Sequence, residues 1–143
     1  MKKIIFLILL SLCILRAEDE EGIVVEITGF RNDDGYARIT IFEKSDGFPS
    51  NPKKALDAKS ETISNGKCKV VFTDIPAGTY AIAVLHDENS NEKMDTNALG
   101  IPKEGYGTSN NAKGKMGPPK FKDASFKYSE ETITLKITMK YGI

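Results

Sequence analysis

The segment Thr132-Ile133-Thr134-Leu135-Lys136-Ile137-Thr138-Met139-Lys140 alternates polar and apolar side chains without a break. Successive side chains of an extended strand point to opposite faces, so Ile133, Leu135, Ile137 and Met139 share one side, the threonines and lysines the other. That is the pattern of a strand with one face buried and one in water. A second segment, Thr79-Tyr80-Ala81-Ile82-Ala83-Val84-Leu85-His86, is apolar on both faces: Tyr80, Ile82 and Val84 line one, Ala81, Ala83 and Leu85 the other. Such a run suits a central strand covered on both sides. The two-residue period returns at Ile23, Val25 and Ile27, at Ala37, Ile39 and Ile41 with Arg38 and Thr40 turned to water, and at Cys68, Val70 and Phe72. Helical spacing is nearly absent beyond residue 17.

Turn chemistry divides these runs. Asn32-Asp33-Asp34-Gly35 ends the first strand, and the first two strands are natural hairpin partners. Asn65-Gly66, a tight-turn pair, joins a short strand over 59–63 to a partner over 67–74. Between them Ser45 to Lys59 reads as a loop, punctuated by Gly47, Pro49 and Pro52, with one helical turn near 53–58. Pro76-Ala77-Gly78 turns the chain into the central strand. A short strand near 124–128 brings the total to about seven, with no strand–helix alternation of the kind a parallel sheet requires. The expected fold class is all-β: a single antiparallel β-sandwich of about seven strands with one long loop.

Lys2 and Lys3 precede an apolar run from Ile4 to Leu15, and Ala17 supplies a small residue for cleavage. The run, about a dozen residues, falls short of the roughly 18–20 of a membrane-spanning helix. A cleaved signal peptide over residues 1–17 and a mature domain over 18–143 are expected, the product being periplasmic or secreted with no transmembrane span. Cys13 raises the rival of lipoprotein anchoring, but Leu12 stands where a lipoprotein signal carries a small residue. Cleavage leaves 17 basic against 20 acidic side chains, a net charge of about −3. That balance lacks the basic footprint of a nucleic-acid binder. A single cysteine, Cys68, remains, so no internal disulfide can form, and its alternation with Val70 and Phe72 assigns it to the core.

The segment from Asp87 to Asp123 is rich in Asn, Gly, Lys and Pro. Long connections inside a compact domain are usually functional or disordered, which makes this the place to seek a site. Asp87, Asn89, Asn91 and Asp95 occupy the first, third, fifth and ninth positions of a calcium-loop spacing, where alternate oxygens converge on a hard cation. Glu92 replaces the glycine of the sharp turn, and Ala98 stands where a bidentate Glu would complete the shell. Ca2+ is the cofactor this spacing admits. The competing reading, favoured by the partial match, is an Asx-rich turn whose side chains bond nearby amides.

His86, the sole histidine, ends the inward row of the central strand. Lacking a serine or cysteine placed as its nucleophile, it is expected to order the mouth of the loop by hydrogen bonds. Gly105-Tyr106-Gly107 lacks the third glycine and following helix of a phosphate-binding motif. With Ser109, Asn110 and Asn111 it is expected to fold the loop back onto the sandwich. Lys113, Lys115, Lys120, Lys122 and Lys127 read as a solvated face.

Phe72-Thr73-Asp74-Ile75-Pro76-Ala77-Gly78-Thr79-Tyr80-Ala81-Ile82-Ala83-Val84-Leu85-His86-Asp87-Glu88-Asn89 and Gly100-Ile101-Pro102-Lys103-Glu104-Gly105-Tyr106-Gly107-Thr108-Ser109-Asn110-Asn111 carry a resemblance. Over roughly residues 23–141 the chain resembles the bacterial domain-of-unknown-function family 2141, which usually shows glycine near Glu92. The resemblance implies an exported prealbumin-like or immunoglobulin-like sandwich with residues 86–111 as its signature, and brings no catalytic residues with it. The turn before the central strand is also similar to those of carboxypeptidase regulatory-type sandwiches, which are accessory modules. Three functions stay open. The first is a non-catalytic exported module binding an envelope or extracellular ligand, with a calcium-ordered loop. The second is a small extracytoplasmic enzyme using His86 with Asp87 or Asp95, and the third a purely structural envelope protein.

Overall fold

A computed structural model describes residues 20–142. The signal peptide expected over residues 1–17, with Cys13, lies outside them. The strands are β1 (Ile23–Thr28), β2 (Tyr36–Phe42), β3 (Asp57–Glu61), β4 (Cys68–Phe72), β5 (Gly78–Asp87), β6 (Tyr106–Thr108), β7 (Phe126–Tyr128) and β8 (Ile133–Thr138); α1 (Phe121–Ala124) is one helical turn. They form two sheets. One has the order β4-β1-β8; the other runs β3-β2-β5-β6, with β7 also paired to β5. Strands β6 and β7 lie end to end along the same edge of β5, against Ala83–Leu85 and Gly78–Tyr80 respectively.

The two-residue period becomes a core when the inner faces meet. Ile23, Val25 and Ile27 of β1 and Val70 and Phe72 of β4 pack with Ile39 and Ile41 of β2 and Ile82 and Val84 of β5. Each such side chain, fully buried, contributes about 1.5–3 kcal/mol. β5 is central, as its two apolar faces require. The outer face of its sheet is covered as well: Phe42 packs edge-to-face on Phe48 of the 43–56 loop (5.4 Å), and Phe48 on Phe121 of α1 (5.9 Å). Cys68 is buried, and desolvation pushes its thiol up to about 11, which keeps it protonated and inert at neutral pH.

Three expectations about pairing are corrected. β1 and β2 are not hairpin partners, because they stand in opposite sheets and face each other across the core. The connection between them crosses the sandwich, with Gly29 and Gly35 in the left-handed region (φ 82° and 64°). Asn65 and Gly66 do turn tightly, with φ 53° and 71°, but their hairpin is a single bridge between Ser64 and Lys67. β3 then joins β2 and β4 joins β1. Finally, β8 runs parallel to β1, from Ile23 opposite Ile133 to Thr28 opposite Thr138; the other pairs of named strands are antiparallel. Alternation has the same period in either direction, so it cannot distinguish the two pairings.

The 87–123 segment is more structured than its composition suggests, since it contains β6 and α1. Both depend on β5 or its neighbours, partners remote in sequence.

Candidate functional site

β5 delivers two adjacent polar residues, His86 and Asp87, to the mouth of the loop, both with 0% exposure. Neighbours on a strand point to opposite faces. His86 therefore turns into the core, while Asp87 turns out to the face it shares with Arg38 of β2.

The Asp87 carboxylate is compensated from three directions. Arg38 Nε donates to Oδ2 at 2.7 Å, Glu92 N to Oδ2 at 2.9 Å and Asn91 N to Oδ1 at 3.1 Å. The backbone amides fold the loop around the acid, which requires Ser90 and Glu92 to adopt left-handed conformations (φ 57° and 65°). Glu92 thus occupies the position where the calcium spacing prefers glycine. Holding a residue with a Cβ there costs roughly 1–2 kcal/mol. Its 3.9 Å ion pair to Arg38 Nη1 is too exposed to offset much of that. Glu92→Gly is accordingly expected to raise stability by about 0.5–1 kcal/mol in urea unfolding, after the extra freedom of glycine in the unfolded chain is subtracted. A loss of stability would show that the left-handed turn is not strained.

The other members of the spacing gather around Asp95. Asn91 Nδ2 donates to Asp95 Oδ1 at 2.7 Å and Asn89 Nδ2 to Oδ2 at 2.5 Å. The Asn91 bond in particular holds the Asp95 carboxyl below its usual range. The amide oxygens in turn accept from backbone: Asn89 Oδ1 from Asn91 N, and Asn91 Oδ1 from Lys93 N at 3.1 Å. Asn89, Asn91 and Asp95 are therefore brought together, and Asp87 joins them through the backbone it caps. These are the bonds an Asx-rich turn makes. Among the described residues, no three His, Cys, Asp or Glu side chains form a group able to hold a metal ion. A cation at this loop must draw on amide and carbonyl oxygens too.

Beyond Asp95 the chain makes a small hairpin that sequence reasoning missed. Lys103 N donates to Asp95 O at 2.8 Å and Asn97 N to Ile101 O at 2.9 Å, while Asn97 Oδ1 caps Leu99 N and Ile101 N across the tip. The tip presents Leu99, 83% exposed, and Ile101, 38% exposed. The hairpin returns Glu104 to the side of Asp95. Glu104 is 3% exposed; burial, then the charges of Asp95 and Asp87, hold its carboxyl above the usual range. Its Oε2 is the one buried side-chain polar atom without a hydrogen-bond partner among the described residues.

On the core side, Tyr141 Oη lies 2.8 Å from His86 Nδ1, and the Asp34 carbonyl 2.8 Å from Nε2. A carbonyl only accepts, so Nε2 carries a hydrogen. Phe30 meets the imidazole edge-on at 5.1 Å. Tyr141 Oη also accepts from Arg31 N at 3.1 Å, and the Arg31 guanidinium lies over the Tyr141 ring at 4.6 Å. That guanidinium binds Glu88 through two bonds of 2.7 and 2.9 Å, drawing the Glu88 carboxyl below its usual range, and reaches the Lys103 carbonyl at 2.9 Å. The network ties the β1–β2 crossing, the end of β5, the loop's return and the C-terminal tyrosine together. It also corrects the pairing of His86 with Asp87 or Asp95 as an acid-base couple: the ring is closed off in the core, both nitrogens are engaged, and Asp87 points the other way.

The remaining signature residues divide between two places. Gly105 belongs with His86: its carbonyl accepts His86 N at 2.8 Å, and a Cβ there would lie 2.4 Å from the Tyr141 ring. Tyr106 exchanges backbone bonds of 2.9 and 2.8 Å with Lys140, closing one side of the sandwich. Further along β5, Ser109 Oγ accepts Ile82 N at 2.9 Å and donates to Ala124 O at 2.5 Å. Asn110 Nδ2 donates to Asp123 O and Ser125 O, and Asn111 Oδ1 accepts Thr138 N at 2.9 Å. Ser109, Asn110 and Asn111 thus clip β5, α1 and β8 together. The lysines at 113, 115, 120 and 122 are separate, lining an open depression of about 640 Å³ beside a fully exposed Met116.

The sequence profile of a family described as an uncharacterized protein conserved in bacteria (DUF2141) matches residues 25–136. The chain belongs to that family. The family span opens within β1 and ends within β8, so it takes in both sheets and the whole 86–111 segment. No curated protein and no solved structure matches the chain. No helix among the described residues is long and apolar enough to cross a membrane.

Proposed function

We propose that this member of the family is an exported, non-catalytic binding module whose functional face is the 86–111 segment, ordered by calcium and directed at an envelope or extracellular ligand. The observation that carries the non-catalytic part is the fate of His86: buried, with both ring nitrogens in hydrogen bonds, it has no open side from which to exchange protons with a substrate. Thr108 and Ser109, the buried hydroxyl residues of the segment, are likewise bonded to backbone. What the segment offers outward is a hairpin tip with Leu99 and Ile101 exposed above an acidic base, the arrangement of a contact surface.

Two measurements test this. Expressed in a bacterium, the chain is expected in the periplasm or medium with a mass corresponding to cleavage near Ala17; an uncleaved cytoplasmic product removes export. For calcium, the melting temperature of the processed chain is expected to rise by about 5–10 °C at a calcium concentration roughly a hundredfold above Kd, and to fall back in EGTA. An unchanged melt at millimolar calcium removes the metal.

A further inference from the structure

We propose that the lysine-bearing loop over residues 113–122 is a docking surface for an anionic phospholipid bilayer, on a face separate from the 86–111 segment. Its ten residues include Lys113, Lys115, Lys120 and Lys122 and no acidic side chain, so they hold four of the 17 basic residues of the mature chain and none of its 20 acids. The remainder of that chain is acidic, with 13 basic residues against 20. One positive patch on a negative protein is a means of orienting it toward an anionic surface.

All four lysines are exposed, and none forms an ion pair among the described residues. Lys54 and Lys69, by contrast, are paired with Asp46 and Glu20. The charge of the loop is left for a partner. The four surround a depression of about 640 Å³, among whose lining residues Asp123 alone is acidic. Both ends of the loop are fixed: Ala112 N donates to Ser109 O at 3.3 Å, and Lys120 O accepts Asp123 N and Ala124 N at 3.0 and 3.2 Å. Between them the chain doubles back so tightly that a Cβ on Gly114 would collide with the Gly117 carbonyl, which puts Lys115 and Met116 at the apex.

Apolar groups on the same face select a bilayer over a soluble anion or an acidic peptide. Met116 is fully exposed at the apex. An adjoining depression of about 600 Å³ shares Pro118, Lys120 and Lys122 with the first and is walled by Phe48 and Phe121. Methionine enters the acyl boundary while the lysines reach the phosphates on their flexible stems, the division of labour of an interfacial anchor. A site for a small anion sets its polar groups inside a cleft, and here all four stand in water.

The test is co-sedimentation of residues 18–143, in EGTA, with vesicles of phosphatidylglycerol and phosphatidylcholine in equal parts, against phosphatidylcholine alone. Binding is expected to the mixed vesicles only, with release as salt rises from about 0.1 M to about 1 M, over which the screening length falls from about 10 Å to about 3 Å. Each lysine near an anionic surface is worth roughly fivefold, so replacing all four by glutamine should weaken binding at least about a hundredfold. The melting temperature should not change, since no ion pair is lost. If that variant unfolds, Lys115→Gln with Lys120→Gln replaces it, at roughly 25-fold. Met116→Ser is expected to weaken binding about tenfold and leave the salt dependence as it is. Absence of binding to the mixed vesicles, or equal binding to both kinds, overturns the proposal. Wild-type affinity in the lysine variant places the contact elsewhere on the chain and overturns the surface, and wild-type affinity in Met116→Ser overturns the insertion. Binding to soluble polyglutamate without binding to vesicles assigns the patch to acidic peptides and overturns the bilayer.

Discussion

Replacing Arg38 by alanine is expected to lower the stability of the domain by about 3 kcal/mol, on the order of 10 °C in melting temperature. Its partner Asp87 has 0% exposure, and among the described residues the 2.7 Å bond from Arg38 Nε is the only charged hydrogen bond on that carboxylate. Without it the acid is left with two backbone amides from Asn91 and Glu92, in a place water does not reach. Removing one member of such a pair is far costlier than removing both, because the survivor stays buried and charged. The double variant Arg38→Met with Asp87→Leu should therefore recover part of the loss at the level of the sandwich, while the turn at 87–92, deprived of its cap, loosens. Urea unfolding of the single and double variants in EGTA reads the first effect, and amide exchange at Asn91 and Glu92 the second. A loss below about 1 kcal/mol for Arg38→Ala would mean that the pair is screened like a surface salt bridge.

Ser109→Ala should have a similar effect, about 3 kcal/mol, through a different mechanism. Along the edge of β5, the register with β7 ends at Tyr80 and that with β6 begins at Ala83. Ile82 N falls in the gap, and the Ser109 hydroxyl takes it at 2.9 Å while donating to Ala124 O at 2.5 Å. Alanine leaves a donor and an acceptor unpartnered in a fully buried site, at about 1–3 kcal/mol each. Urea unfolding gives the total, and the Ile82 amide should exchange with solvent much faster than in wild type. Unchanged protection at Ile82 would show that a strand or water substitutes for the hydroxyl and would sink the explanation.

Both residues illustrate where sequence reading stops. Asp87 was visible as an oxygen donor on a calcium spacing, but nothing near it in the chain announces Arg38, which sits on β2 and alternates like a solvent-facing residue. Ser109 stood out as part of a Gly-Ser-Asn cluster that folds back on the sandwich, without any sign that it fills a gap between two strand registers. The burial of Glu104 was not legible because it depends on the 95–103 hairpin, which no spacing of residues announces. His86 was closer to legible: its place in the inward row of β5 follows from alternation, and burial with hydrogen bonds at the loop mouth follows from that place. The hairpin expectations failed for a related reason. Gly35 and Asn65-Gly66 do turn the chain, yet each turn hands it to the opposite sheet.

By itself, the sequence determined which residues face inward, because a period of two leaves one choice of face per strand, and it determined that β5 is central, because apolar side chains on both faces need cover on both. It also pointed to the 86–111 segment as the distinctive part of the family domain. Only the tertiary structure decided which strands are neighbours, that β8 runs parallel to β1, and that Arg38 and Ser109 supply hydrogen bonds to buried polar groups of β5. Burial is a property of one residue and its period, and can be read along the chain. A hydrogen bond or an ion pair is a property of two residues, and here the second is supplied by a strand or a hairpin remote in sequence.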